Sequence, residues 1–256
     1  VLKIKFIGTG SAKVSLKRNY TSLLFQTSAE SILIDCGEGT SKALLQQNIE
    51  LNAIDKIIIS HLHPDHFAGL AGLLTNFKLE GRNKPVHIIT HKSNLSFIKH
   101  FLFNSFIIPE RMNFEIIFDE FDHAKEYVIS KDLKFITLQN SHLDKYKIYA
   151  GNYDLSLASP SFLFTYSDKK IIYTSDIGAT SDLLLFYEQV DILICEITHI
   201  NISQIAEALK QLHPDKIYLI HIPDDKEDEI NDFVASYLVE QFDITLAYEG
   251  LEITAF

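Results

Sequence analysis

The sequence predicts a layered α/β fold of two mixed sheets with outer helices, in a single domain spanning 1–256. Three observations predict it. Strand-like apolar runs alternate with helical segments through the first half, a strand-rich and helix-poor stretch runs from Phe114 to Leu138, and the strand–helix alternation returns after Asp191. A chain of 256 residues, 46% hydrophobic and 22% charged, has ordinary globular composition and is long enough for a large core.

Taken in order, Leu2–Ile7 alternates as a strand and runs into Gly8-Thr9-Gly10-Ser11, a glycine turn able to bring backbone close to a site. Ser22–Gln26 and Ser31–Ile34 read as a hairpin pair, and Asp35-Cys36-Gly37-Glu38-Gly39-Thr40 breaks the sheet before a helix from about Ser41 to Gln47. A strand at Lys56–Ser60, a histidine-rich turn and a helix to about Phe77 come next. Strand Val86–Thr90 and helix Ser93–Phe103 follow. The middle stretch holds strands Tyr127–Ser130 and Lys134–Thr137 and ends at Asn140-Ser141-His142; Ser161–Tyr166 and Lys170–Thr174 then form a hairpin aimed at Ser175-Asp176. Strand Asp191–Cys195, helix Ile202–Leu212, strand Lys216–Ile220, helix Glu227–Gln241 and a closing strand pair, Ile244–Tyr248 with Leu251–Thr254, complete the chain.

The formal net charge of −11 argues against a surface that tracks a nucleic-acid backbone, since that needs clustered Lys and Arg, but it leaves room for a small phosphate ester. Two cysteines, Cys36 and Cys195, are too few for a disulfide framework and fit a reducing compartment. No apolar run reaches the ~18–20 residues that cross a bilayer, and the N-terminal segment does not read as a signal peptide. A cytoplasmic protein with no membrane partner is expected.

Ser60-His61-Leu62-His63-Pro64-Asp65-His66 concentrates three imidazoles and a carboxylate at the end of the apolar run Ile57-Ile58-Ile59. In a strand, side chains alternate faces, so His61 and His63 project to one side while Leu62 turns into the core, and the two rings can grip one ion. Pro64 stops the strand and places Asp65 and His66 at a helix start, pointing from another direction. Neutral imidazole and carboxylate without thiolate favour zinc, with manganese or iron as alternatives, and the donors exceed what one zinc accepts. The local arithmetic favours two metals.

With Phe6-Ile7-Gly8-Thr9-Gly10, Arg18-Asn19-Tyr20-Thr21-Ser22, Asp35 to Thr40, the histidine motif, His142, Ser175-Asp176, Cys195 to Thr198 and His221, the sequence resembles the metallo-β-lactamase superfamily, in its ribonuclease Z-like branch of phosphodiesterases. The resemblance implies a four-layer αββα metallo-β-lactamase sandwich and a dinuclear zinc site. His61, His63 and His142 would hold one Zn2+, Asp65, His66 and His221 the other, and Asp176 would bridge both. Asp35 would orient a ligand histidine from behind. A hydroxide between the two metals would attack a phosphodiester, with Asp65 binding metal and orienting that hydroxide. The superfamily's redox diiron members carry an acid where this chain has His63, which favours zinc hydrolysis. Relatives are often homodimers, so one is expected here.

Two departures bear on the substrate. True tRNA-processing members carry a long Gly/Pro-rich arm after the third motif, whereas the short interval from His142 to Asp176 holds Tyr146, Tyr149 and Tyr153 and no such insert. The branch's His-Glu-Ala-Thr box reads Cys195-Glu196-Ile197-Thr198, without its proton-donating histidine. His199 offers another route to the site, with Glu196 to orient it. The expected function is therefore a zinc-dependent phosphodiesterase for a small or cyclic nucleotide or a short RNA. Alternatives are a tRNA 3′-processing endoribonuclease, a thioester or lactone hydrolase of the same fold, and a non-catalytic metal-binding scaffold.

Overall fold

The computed structural model describes residues 1–186, 189–200, 202–238 and 242–256. The chain groups into two compact units, Val1–Phe121 with Tyr248–Phe256, and Asp122–Ala247.

In the first unit, strands β1 (Lys3–Gly8), β2 (Ser22–Gln26), β3 (Ser31–Ile34), β4 (Lys56–Ile59), β5 (Val86–His91) and β6 (Ile116–Phe121) alternate with helices α1 (Thr40–Gln46), α2 (Pro64–Phe67), α3 (Leu70–Leu79) and α4 (Lys92–Asn104). The hairpin of β2 and β3 pairs Leu24 with Leu33, and from β3 onward pairing turns parallel, Ile34 facing Ile58 and Ile59 facing Thr90. Burial explains the order: parallel strands covered on both faces read as apolar runs, and Ile57, Ile58 and Ile59 are all fully buried. Ile57, Ile59, Val86 and Ile88 meet Leu70, Leu73, Leu74 and Phe77 of α3 in one core. At roughly 1.5–3 kcal/mol for each large apolar side chain fully buried, this face holds the helices on the sheet.

In the second unit, β7 (Tyr127–Val128), β8 (Leu133–Gln139), β9 (Pro160–Tyr166) and β10 (Lys169–Tyr173) form an antiparallel meander, and β11 (Ile192–Glu196), β12 (Lys216–Ile220) and β13 (Ile244–Leu246) extend it in parallel. Helices α5 (Ile202–Leu212) and α6 (Glu227–Phe233) supply Ile205, Leu209, Leu212 and Ile230 to its core. The last strand, β14 (Glu252–Thr254), returns to the first unit beside β1, giving seven-stranded sheets ordered β14-β1-β2-β3-β4-β5-β6 and β13-β12-β11-β10-β9-β8-β7.

The closing strands are therefore not a pair. Ile244 lies opposite Ile217 of β12, while Ile253 lies opposite Ile4 of β1, so the Tyr248–Gly250 turn crosses between sheets rather than closing a hairpin. The helix expected to reach Phe77 is broken at Ala68 and Gly69 into α2 and α3. α6 ends at Phe233 and passes into a π turn over Val234–Leu238; the expected end at Gln241 lies outside the described residues.

Each sheet changes from antiparallel to parallel pairing at one strand, β3 in the first and β10 in the second. In α/β sheets ligands gather outside the carboxyl ends of the strands. Asp35 follows β3 and Asp176 follows β10.

Candidate functional site

In the first unit the motif lies just beyond β4 rather than within it. Ser60 N donates to Asp35 Oδ1 at 2.8 Å, which takes up the backbone group that would have continued the ladder. His63 is extended (φ −73°, ψ 142°) and caps α2, whose first residue is Pro64, so Asp65 and His66 occupy its single turn as expected from the proline. Leu62, partly buried, packs against the core.

Asp35, with no exposed surface, is the hub of this half. Its Oδ2 accepts from Ser60 Oγ at 2.9 Å and lies 2.8 Å from His66 Nδ1. Ser60 Oγ also lies 3.1 Å from His61 Nδ1. With their Nδ1 atoms held in this way, His61 and His66 present Nε2; the ring centres stand 4.1 Å apart, and His61 and His63 are 4.8 Å apart. Asp65 Oδ2 lies 3.5 Å from His66 Nε2. The 36–39 turn is zipped to the motif by Cys36 N to His66 O at 2.7 Å and Gly69 N to Cys36 O at 2.9 Å. A Cβ on Gly37 would meet the Asp65 carbonyl oxygen at 2.0 Å, so only glycine fits there. Asp35 itself leaves β3 with φ 62°, a conformation costing ~1 kcal/mol or more that these contacts hold in place.

In the second unit, His142, Asp176 and His221 all sit just past strand ends and are 1–2% exposed. His142 Nε2 and His221 Nε2 lie 3.6 Å and 3.5 Å from the same oxygen, Asp176 Oδ2. Two nitrogens around one carboxylate oxygen at these distances are too far for hydrogen bonds, yet close to the about 3.3–3.4 Å separating neighbouring ligands of a tetrahedral ion with bonds of about 2.0–2.1 Å. The donor chemistry and spacing fit a divalent metal ion.

Two residues outside the expected set assemble this half. Asn140 takes His142 N on its Oδ1 at 3.0 Å and donates from Nδ2 to the Asp176 carbonyl at 2.9 Å. Asp182 Oδ2 accepts from Ser141 N and Oγ, Gly178 N and Ala179 N at 2.6–3.2 Å. Together they tie the His142 loop to the Asp176 loop. Asn140, two residues before His142, had a positional signal; Asp182 had none.

Glu196 ends β11 fully buried and gathers the remaining groups. It accepts from Ile177 N, Thr198 N and His199 N, and its Oε1 lies 3.2 Å from His199 Nδ1. His221 Nδ1 faces its Oε2 at 3.8 Å, and Thr198 Oγ1 bonds the His221 carbonyl. Burial pushes the Glu196 carboxyl up, but the His199 and His221 rings facing it outweigh this and hold it below the ordinary value. Donor atoms of Glu196, His199 and His221 all lie within 4.8 Å of one another. His199 keeps 29% of its side chain exposed and stands 4.7 Å, ring to ring, from His142. Cys195 is buried, and burial raises its thiol well above the ordinary value, so it offers no nucleophile.

Residues 2–245 match the family model described as anti-Pycsar protein Apyc1. The chain belongs to this family. It is also 32% identical over 169 residues to a ribonuclease Z of Methanococcus aeolicus, covering 66% of this chain and 48% of that protein, and 37% identical over 158 residues to one of Prochlorococcus marinus, covering 60% and 49%. The chain thus spans about half the length of these relatives. Among solved structures, the metallo-β-lactamase fold protein YhfI from Bacillus subtilis superposes with a TM-score of 0.78 at 18% identity over 98% of each chain. The short form of human tRNase Z gives 0.71 at 21% over 99% of each, and a diphosphatase from the PhnP family 0.71 at 17% over 99% of this chain and 97% of that one. Two seven-stranded mixed sheets with flanking helices place this family member in the metallo-β-lactamase fold. No helix among the described residues is long and apolar enough to cross a membrane.

Proposed function

We propose that the chain is a zinc-dependent phosphodiesterase acting on a small or cyclic nucleotide or a short RNA. His61, His63 and His142 serve one ion, Asp65, His66 and His221 the other, and Asp176 serves both. The observation that carries this reading is the Asp176 carboxylate oxygen flanked by two imidazole nitrogens at 3.5–3.6 Å, the place of a shared ligand. Similarity to ribonuclease Z proteins and to a diphosphatase supports phosphorus over carbonyl chemistry.

Two ions held there would supply a bound water of near-neutral pKa and positive charge to offset phosphoryl oxygens. The chain's own groups do the rest. Asp35 holds the His66 proton on Nδ1, leaving Nε2 as donor atom. Asp65 orients the attacking water. Glu196, kept ionised, holds His199 through Nδ1 at the partly exposed rim, where its other nitrogen delivers a proton to the departing alkoxide. His199 thus takes the part left vacant by Cys195.

The test is hydrolysis by metal-loaded protein of bis-(p-nitrophenyl) phosphate and cyclic AMP beside a thioester and a lactone. Turnover of the carbonyl substrates alone would sink the proposal. A second reading, cleavage of a pre-tRNA 3′ trailer, is carried by the ribonuclease Z relatives and is decided by the same protein on a pre-tRNA substrate.

A further inference from the structure

β11 ends in Glu196, and the loop after it brings His199 beside the His221 turn. The Glu196 carboxylate, with no exposed surface, faces two near-parallel rings, His199 and His221, whose centres are 5.4 Å apart at an angle of 27°. Its Oε1 lies 3.2 Å from His199 Nδ1, and its Oε2 lies 3.8 Å from His221 Nδ1. Backbone donors on Oε2, Thr198 N at 2.6 Å and His199 N at 3.1 Å, fix the loop to the carboxylate, and Thr198 Oγ1 ties it to the His221 carbonyl. Oε1 carries a lighter load, with Ile177 N at 3.3 Å.

A charge-assisted N–H···O bond closes to about 2.7–2.9 Å, and neither nitrogen comes that near. A separation of 3.2 Å instead subtends roughly 100° at an ion with bonds of about 2.0–2.1 Å, close to the tetrahedral angle. Donor atoms of all three residues lie within 4.8 Å of one another, and two imidazoles with one carboxylate are a donor set that suits zinc. His199, with 29% of its side chain exposed, gives a dissolved cation a way in, and its Nδ1 stands 4.0 Å from Asp176 Oδ2, beside the other two ions' place. His221 is also assigned to the second of those ions, and like charges close together repel, so this position fills last.

We infer that Glu196, His199 and His221 form a third, weaker site for a zinc-like divalent cation, and that filling it withdraws His199 from proton delivery. The site follows from the geometry; its effect on turnover rests on the phosphodiesterase reading. A neutral His199 that binds the ion through Nδ1 keeps one proton, on Nε2, whereas the imidazolium that assists an alkoxide holds two. Giving up that last proton would leave an imidazolate, so the ring no longer acts as an acid. Zinc would then serve turnover at low concentration and oppose departure of a poor leaving group at high concentration.

The experiment uses the metal-stripped full chain, wild type and with His199→Ala or His199→Phe. Each is dialysed to equilibrium against a graded series of buffered zinc and its bound metal is counted by atomic absorption, while kcat is followed on cyclic AMP and on bis-(p-nitrophenyl) phosphate across the same series. Wild type should bind two ions and then a third at least about tenfold more weakly, and both variants should stop at two. As the third ion enters, kcat for cyclic AMP should fall by about 10²–10⁴, the contribution of a general acid, while departure of p-nitrophenolate should change little. Saturation of wild type at two ions, or a third ion kept by both variants, overturns the site. Equal inhibition of both substrates, or none, overturns the effect assigned to His199. If wild type turns over neither phosphodiester, the functional reading falls, and the dialysis still decides whether the third site exists.

Discussion

Asp35→Asn tests the link between the buried carboxylate and the metal ligands most directly. The carboxylate receives three contacts at 2.8–2.9 Å, from Ser60 N, Ser60 Oγ and His66 Nδ1. Asparagine keeps its shape and one acceptor oxygen, which stays with Ser60 N. Its NH2 then replaces Oδ2 and faces two former donors. Ser60 Oγ can rotate to accept, but His66 Nδ1 accepts only by moving its proton to Nε2, the atom 3.5 Å from Asp65 Oδ2. The wrong tautomer blocks the nitrogen assigned to metal. Loss of such an orienting partner costs 10–100-fold in metal affinity, about 1.4–2.8 kcal/mol at ~1.4 kcal/mol per decade. The fold loses less, about 1 kcal/mol, because the swap also removes a buried charge. Competition with a chelating dye reads the two affinities, and thermal melting of metal-stripped protein reads the fold. One ion should weaken while the other holds, with the metal-free melting temperature lowered by about 2–4 °C. Wild-type affinity for both ions would refute the reasoning.

Asp182→Ala unties four donors of the loops bearing His142 and Asp176, and is expected to destabilise the protein by about 2–3 kcal/mol in urea melts, since the exposed Gly178 amide recovers water while the others do not. His199→Ala should lower kcat for an alkoxide leaving group such as that of cyclic AMP by about 10²–10⁴ and far less for p-nitrophenolate, which departs without a proton; equal losses would remove His199 from the proton path. Burial pushes the Cys36 thiol up to about 12 from 9.0, so iodoacetamide at pH 8 should label it only after unfolding. Because the folded value is raised, this thiol's contribution to stability is fully present below about pH 9 and is lost as pH rises through about 12, which alkaline melts of Cys36→Ala against wild type would show as convergence.

What the sequence made legible follows from how far each signal reaches along the chain. The His61 to His66 cluster declares itself because a proline fixes where its helix starts, and the strand before it is an unbroken apolar run. His142, Asp176 and His221 carry no local signal beyond standing after strands, and only the resemblance ordered them. The closing strands read as a pair because they are neighbours in the chain; which sheet each joins depends on partners more than twenty residues away, Ile217 for Ile244 and Ile4 for Ile253. Asp182 was illegible for a different reason. An aspartate in a short 3-10 turn reads as a turn residue, and its role exists only once Ser141 and Gly178 have been brought beside it. The same holds for the left-handed residues Asp35, Ser175 and His221, whose backbone energy is unfavourable alone. Strand-end turns of this kind let a sheet edge present side chains that a regular strand would point along its faces, so the strain and the ligand placement have one cause.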